Sequence, residues 1–300
     1  MTDVSAISSA RDRVGESPVW SVSAQALYWV DIEGQRIHCL DWASRTQRSW
    51  ALAECVGCIA LSNRGTVIAA MESGIFEVEL REAPMARVSC LAVVNHPQPD
   101  MRFNDGRCDA QGRLWVGTMV RNMGLGNTSG GIYCLDTDGL RGPELQGYIT
   151  PNGMAFSPDG RTAYLSDSHP SVQKIWRHTF DGATGAWGPQ TEWVDMQALP
   201  GRPDGAAVDA EGCYWICGND AGMVHRFSPT GALLQSIAVP VSKPAMCAFG
   251  GPELRHMFVT SIQPAAPVPG FDATLDGAVL VLEPGVQGRP EPVFSQFPVR

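Results

Sequence analysis

The sequence predicts an all-β fold: a six-bladed β-propeller whose four-stranded antiparallel blades surround a central channel. Three observations predict it. The 32 glycines and 22 prolines among 300 residues are spread along the chain, with aromatic and β-branched segments between them, as many short strands with frequent turns require. No stretch of a dozen residues carries a helical apolar stripe. One segment recurs six times at intervals of 39 to 52 residues, with copies starting at 16, 57, 104, 152, 204 and 243.

Three copies are strong. Residues 104–112 lead into Leu114-Trp115-Val116, residues 152–160 into Ala163-Tyr164-Leu165, and residues 204–212 into Tyr214-Trp215-Ile216. Each opens on a short polar residue, continues as a strand of small residues and reaches a turn glycine eight positions later. An aromatic strand and then a third strand follow. Three copies are fainter. Residues 57–65 lead into Val67-Ile68-Ala69, residues 243–251 into Met257-Phe258-Val259, and the first copy, starting at Glu16, lacks the turn glycine before Leu27-Tyr28-Trp29-Val30. A blade cannot bury both its faces alone, so a closed ring supplies the core. No composition shift marks a linker, so residues 1–300 are expected to form a single domain, with residues 4–8 and 292–297 pairing to complete the last blade.

In a propeller the residue before each innermost strand lies at one mouth of the channel. Here those residues are Glu16, Gly57, Asn104, Asn152, Asp204 and Lys243. Taken singly, Asn152-Gly153 and Asp204-Gly205 are common turn dipeptides. At one repeat position together with Glu16 they become a convergent set of oxygen donors. Confined carboxylates repel one another unless a cation sits between them. Oxygen donors favour calcium, magnesium, manganese, iron(II) or zinc, and three protein ligands leave positions open for water and substrate.

Net charge is −9, which disfavours nucleic acid and anionic membrane surfaces as partners. Residues 1–30 carry Asp3, Arg11, Asp12, Arg13 and Glu16 without an apolar run before them, and no span-length apolar segment follows; a cytoplasmic monomer or weak dimer is expected. Nine cysteines, most in strand-like runs, read as buried hydrophobes, and Cys55-Val56-Gly57-Cys58 as structural. The histidines show no ligand spacing. No serine-hydrolase elbow, P-loop or dinucleotide fingerprint occurs. Residues 262–273 are Pro-rich and read as an exposed loop.

The sequence resembles the gluconolactonase family that includes regucalcin. The matching segments are Gly15-Glu16-Ser17-Pro18-Val19-Trp20 with Tyr28-Trp29-Val30-Asp31-Ile32, and Arg102-Phe103-Asn104-Asp105-Gly106 with Gly117-Thr118-Met119. They continue with Pro151-Asn152-Gly153-Met154, Ser157-Pro158-Asp159-Gly160, Pro203-Asp204-Gly205, Asp209-Ala210-Glu211-Gly212 and Cys247-Ala248-Phe249-Gly250-Gly251, covering nearly the whole chain. The resemblance implies a six-bladed propeller, one divalent metal ion on Glu16, Asn152 and Asp204, and substrate contacts from Arg102 and Asn104. A further family contact, a carboxylate on the loop after Gly-Thr-Met, falls on Asn122, a departure that with Arg121 beside it predicts tolerance of an acidic lactone. The expected activity is hydrolysis of an aldonolactone-type ring ester, with Asp204, or a water it orients, as base. Two other functions share these features: a non-catalytic calcium-binding regulator, and a propeller hydrolase of aryl esters or organophosphates.

Overall fold

The computed structural model describes residues 3–298. Six four-stranded antiparallel sheets form the blades of a propeller. The inner strands are Gly15–Ser21, Val56–Leu61, Met101–Cys108, Pro151–Phe156, Arg202–Val208 and Pro244–Gly250, numbered here as blades one to six. Beyond three short 3-10 turns the described residues form no helix, and none is long and apolar enough to cross a membrane.

The repeat has a physical origin at its turn glycine. Gly65, Gly112, Gly160, Gly212 and Gly251 all have φ between 67° and 79°, the left-handed region that glycine enters without a Cβ clash. In blade one the positive φ falls on Gln25 instead, at 47°, which is why the first copy lacks its glycine. Below this turn an aspartate fastens two blades by the same pattern. Trp115 Nε1 donates to Asp109 Oδ2 at 2.8 Å, and Trp215 Nε1 to Asp209 Oδ2 at 2.9 Å. The aromatic strands these turns introduce are the core: Trp29, Trp115 and Trp215 are fully buried between neighbouring blades.

Ring closure differs from the expected pairing. Val4–Ala6 does complete blade six, but its partner is Leu280–Leu282. Residues 292–297 instead cross the lower face: Phe294 N donates to Leu61 O at 2.7 Å and Ser295 N to Gly112 O at 3.1 Å. Phe294 and Phe297 are apolar enough to read as an edge strand, yet they are more fully desolvated in the core beside Cys58, Val116 and Leu135. Glu291, immediately before this segment, meets Arg107, closing the floor of the channel. The Pro-rich stretch 262–273 is a largely exposed loop, as expected.

All nine cysteines are free thiols and eight are buried, including Cys55 and Cys58. His38, His178 and His225 sit in the third strands and hydrogen-bond across to the fourth, to Ser49 at 2.7 Å, Gly188 O at 3.4 Å and Ser236 at 2.9 Å. These are structural positions, matching the absence of ligand spacing.

Candidate active site

Each inner strand breaks register near its upper end. The shift lies between Glu16 and Val19, Phe103 and Gly106, Asn152 and Ala155, and Pro203 and Ala206 in blades one, three, four and five. Bulges of this kind re-aim side chains, and here they turn polar groups into the channel. The register also refines the repeat. Glu16 and Asn152 are the last paired residues before the shift, whereas Asn104 and Asp204 lie one residue inside it. Lys243 lies outside the ladder, just above Pro244, and reaches the rim instead of the channel.

The bulge in blade four demands its glycine. Gly153 has φ 62°, and a Cβ there would stand 2.5 Å from Tyr214 Oη and 2.7 Å from Ser166 Oγ. Tyr214 Oη also donates to Gly153 O at 2.7 Å, fixing the loop that presents Asn152.

Around the channel mouth the polar groups are linked. Arg102 Nη1 donates to Asn104 Oδ1 at 2.7 Å and to Phe103 O at 2.8 Å. Asn104 Nδ2 donates to Asn152 Oδ1 at 3.0 Å and to Pro151 O at 3.1 Å. Asn152 Nδ2 donates to Ser168 Oγ at 2.6 Å, and Ser168 Oγ donates on to Pro203 O. Asn219 Nδ2 donates to Asp204 Oδ2 at 2.6 Å. Glu16 Oε2 accepts from Ser17 N at 3.1 Å, and Glu16 keeps part of its surface open to the channel. Among the described residues no protein donor reaches Glu16 Oε1 or Asp204 Oδ1. Arg102 is buried and its Nε has no hydrogen-bond partner.

Electrostatics follow from burial. Burial pushes the Glu16 carboxyl well above the usual carboxylate range, and the neighbouring Asp204 and Asp105 carboxylates add to the push. Burial raises Asp204 to about 7, against the opposing pull of Arg202 and the Asn219 hydrogen bond. Asp105 is raised by burial as well; its Oδ2 accepts from Met154 N at 2.8 Å while Oδ1 is buried unpaired. Burial lowers the Arg102 guanidinium.

Among the described residues no three His, Cys, Asp or Glu side chains cluster as a metal site. The sequence-derived set is of a different composition: two carboxylates and one amide. It fits a hard divalent cation on chemical grounds. Two carboxylates with raised proton affinity, Glu16 raised in part by the neighbouring Asp204 and each with an uncommitted oxygen, face a channel in which a cation relieves the repulsion.

The substrate-contact candidates separate. Arg102 has donors to spare. Asn104 has both ends of its amide engaged by protein. Asn122 is exposed at the start of a 3-10 turn, where its Oδ1 accepts from Gly124 N at 3.1 Å. Arg121 does not add free positive charge there, because it is held between Glu33, at 3.3 Å, and Glu72. Ser168, Asn219, Arg202 and Asp105 complete the site and were not singled out from the sequence. Ser168 and Asn219 end or follow the second strands of blades four and five at the same mouth, a polar repeat that a register-aware reading could have found.

A family model described as SMP-30/Gluconolactonase/LRE-like region matches residues 14–263. The chain is 36% identical to the 6-deoxy-6-sulfogluconolactonase of Pseudomonas putida over 94% of its length and 95% of that protein. It is 32% identical to the pentonolactonase of Haloferax volcanii, covering 93% and 94% of the two chains. Among solved structures it resembles a calcium-binding protein, regucalcin, of Agrobacterium tumefaciens, with TM-score 0.86, 27% identity and 96% of each chain covered.

Proposed function

Since the chain belongs to the SMP-30/gluconolactonase family and is a lactone-hydrolysing enzyme, we propose that its substrate is a hydroxylated aldonolactone bound at the upper mouth of the channel. The single observation that supports this reading best is that Asp204, buried with one carboxylate oxygen uncommitted beside the Asn219 hydrogen bond, and Arg102, buried with an unsatisfied donor, both belong to the channel mouth. One side chain is poised to take a proton from water, the other to hold a polar ring.

In the proposed reaction Arg102 donates its free N–H groups to substrate hydroxyls and keeps the ring oriented. Asn104 supports this by fixing Arg102 and Asn152 at once. Asp204 Oδ1 accepts a proton from the attacking water as its oxygen bonds to the lactone carbonyl carbon. The ring C–O bond then breaks, and the proton passes to the departing ring oxygen, leaving the open sugar acid with a free hydroxyl. Glu16, Asn152 and Asp204 would hold one divalent cation, which when bound supplies polarisation of the carbonyl and stabilises the oxyanion.

A calcium-binding regulator would use the same carboxylates but has no need of Arg102's free donors. The test is acid release from a panel of neutral and acidic aldonolactones, with and without chelator, in the parent, Arg102→Ala and Asp204→Ala proteins. Turnover lost with either substitution is the expected result. Cation binding without hydrolysis of any lactone would overturn the enzymatic reading in favour of the regulator.

A further inference from the structure

The entrance to the channel is electrically lopsided. Toward blades five and six, two cations share one carboxylate: Arg202 Nε donates to Asp220 Oδ2 at 2.6 Å, and Lys243 Nζ donates to Asp220 Oδ1. Toward blades one to three the exposed groups reverse that count, with Arg121 held between Glu33 and Glu72 above the buried Arg102. The chain as a whole carries −9, so an anionic ligand approaching at random meets repulsion. On the blade five and six rim the outer groups Arg202, Lys243 and Asp220 leave one positive charge over, above the buried Asp204.

That rim is built into the site. Arg202 Nη1 donates to Ser168 O at 2.9 Å and Nη2 to Asn219 Oδ1 at 3.3 Å. Ser168 is the partner of Asn152, and Asn219 is the partner of Asp204. Arg202 thereby has an acceptor on each of its three nitrogens, three of its five N–H donors being engaged. Lys243 is less committed: only one of its three N–H donors is engaged, and 27% of its side chain is open to solvent. Asp220, the shared carboxylate, is fixed in the left-handed region with φ 73°.

We propose that Lys243, held in place by the Asp220–Arg202 cluster, receives an anionic group carried by the part of the lactone remote from the scissile carbonyl. The substrate class is then an acid-bearing sugar lactone, with a carboxylate, sulfonate or phosphate tail directed toward blades five and six and away from Glu33 and Glu72. This rests on the lactonase reading above and gives it an orientation. The tail oxygens accept hydrogen bonds from the unengaged Lys243 N–H groups and neutralise the surplus charge, while Arg102 holds the ring hydroxyls deeper in the channel.

The test uses lactones of one ring type that differ only at the terminal carbon, bearing hydroxymethyl, carboxylate or sulfonate. The readout is the ratio of kcat/KM for each acidic substrate to that for the neutral one. In Lys243→Gln the ratio is expected to fall about tenfold, and further in Lys243→Glu, chiefly through KM. Asp220→Asn, which tolerates positive φ and keeps an oxygen acceptor for Lys243 while removing the competing negative charge, should raise the ratio. Added salt should depress the parent's ratio. A ratio unmoved within about twofold by all three substitutions, or an equal loss on neutral and acidic substrates, overturns the proposal while leaving the lactonase intact. A parent that hydrolyses no lactone overturns both. Comparison of the carboxylate and sulfonate arms identifies which tail the rim accepts.

Discussion

Asn104 hydrogen-bonds Asn152 across the blade three–blade four boundary, Nδ2 to Oδ1 at 3.0 Å, while its own Oδ1 receives Arg102 at 2.7 Å. One amide thus orients both the residue expected to grip the substrate and a candidate metal ligand. Asn104→Ala is expected to weaken divalent-cation affinity and kcat/KM by about ten- to a hundredfold, the range for losing an orienting partner of a ligand. Asn104→Asp keeps the acceptor for Arg102 but not the donor for Asn152, so it should impair cation affinity more than KM. Calorimetric cation titration and steady-state hydrolysis separate the two effects; a wild-type affinity in both variants would show that Asn152 needs no such support.

Asp204→Asn should separate stability from activity. Turnover is expected to fall by about a hundredfold or more with loss of the base. In protein stripped of divalent ions, removing a buried carboxylate that opposes Glu16 should raise the melting temperature by roughly 2 °C or more. A variant both inactive and less stable without metal would place Asp204 in the fold instead of the chemistry.

The same carboxyls set a pH dependence. Asp204, raised to about 7, and Glu16, raised in the same direction, hold protons more tightly folded than unfolded. Their contribution to stability is complete below the unfolded carboxylate range of about 4 and is lost as pH rises toward about 7. The chelated protein should therefore melt at progressively lower temperature across that window. Saturating calcium or zinc should flatten or invert the slope. A chelated protein that gains stability across the same window would contradict the raised values.

At the floor, Arg107 of blade three donates to Met154 O at 3.0 Å, to Ala206 O and to Glu291 of the C-terminal segment. It thus ties the strands that carry Asn152 and Asp204 at their lower ends. Glu291→Ala strands a buried guanidinium and should cost about 3–5 kcal/mol. Arg107→Met combined with Glu291→Leu should recover much of that loss, since an apolar pair of similar volume needs no desolvation. Urea unfolding of the single and double variants measures both; a neutral Glu291→Ala would mean water replaces the carboxylate.

The sequence by itself determined the architecture, because the signal was local and repeated. A glycine with positive φ eight residues after a polar one, followed by an aromatic strand, reports a turn and a buried strand each time it occurs. The repeat also put Glu16, Asn104, Asn152 and Asp204 at one mouth, since equivalent residues of a closed ring must converge. Tertiary structure alone decided what periodicity cannot encode. Bulges shift the register by one residue, so Asn104 and Asp204 sit one place deeper than Asn152, and Lys243 falls on the rim. Arg121 was a positive neighbour in the sequence and is a neutralised one in the fold, because Glu33 and Glu72 come from other blades. Residues 292–297 became a floor and not a strand, because their phenylalanines lose more water in the core than an edge strand would allow. Ion pairing and burial depend on distances across blades that no single repeat contains.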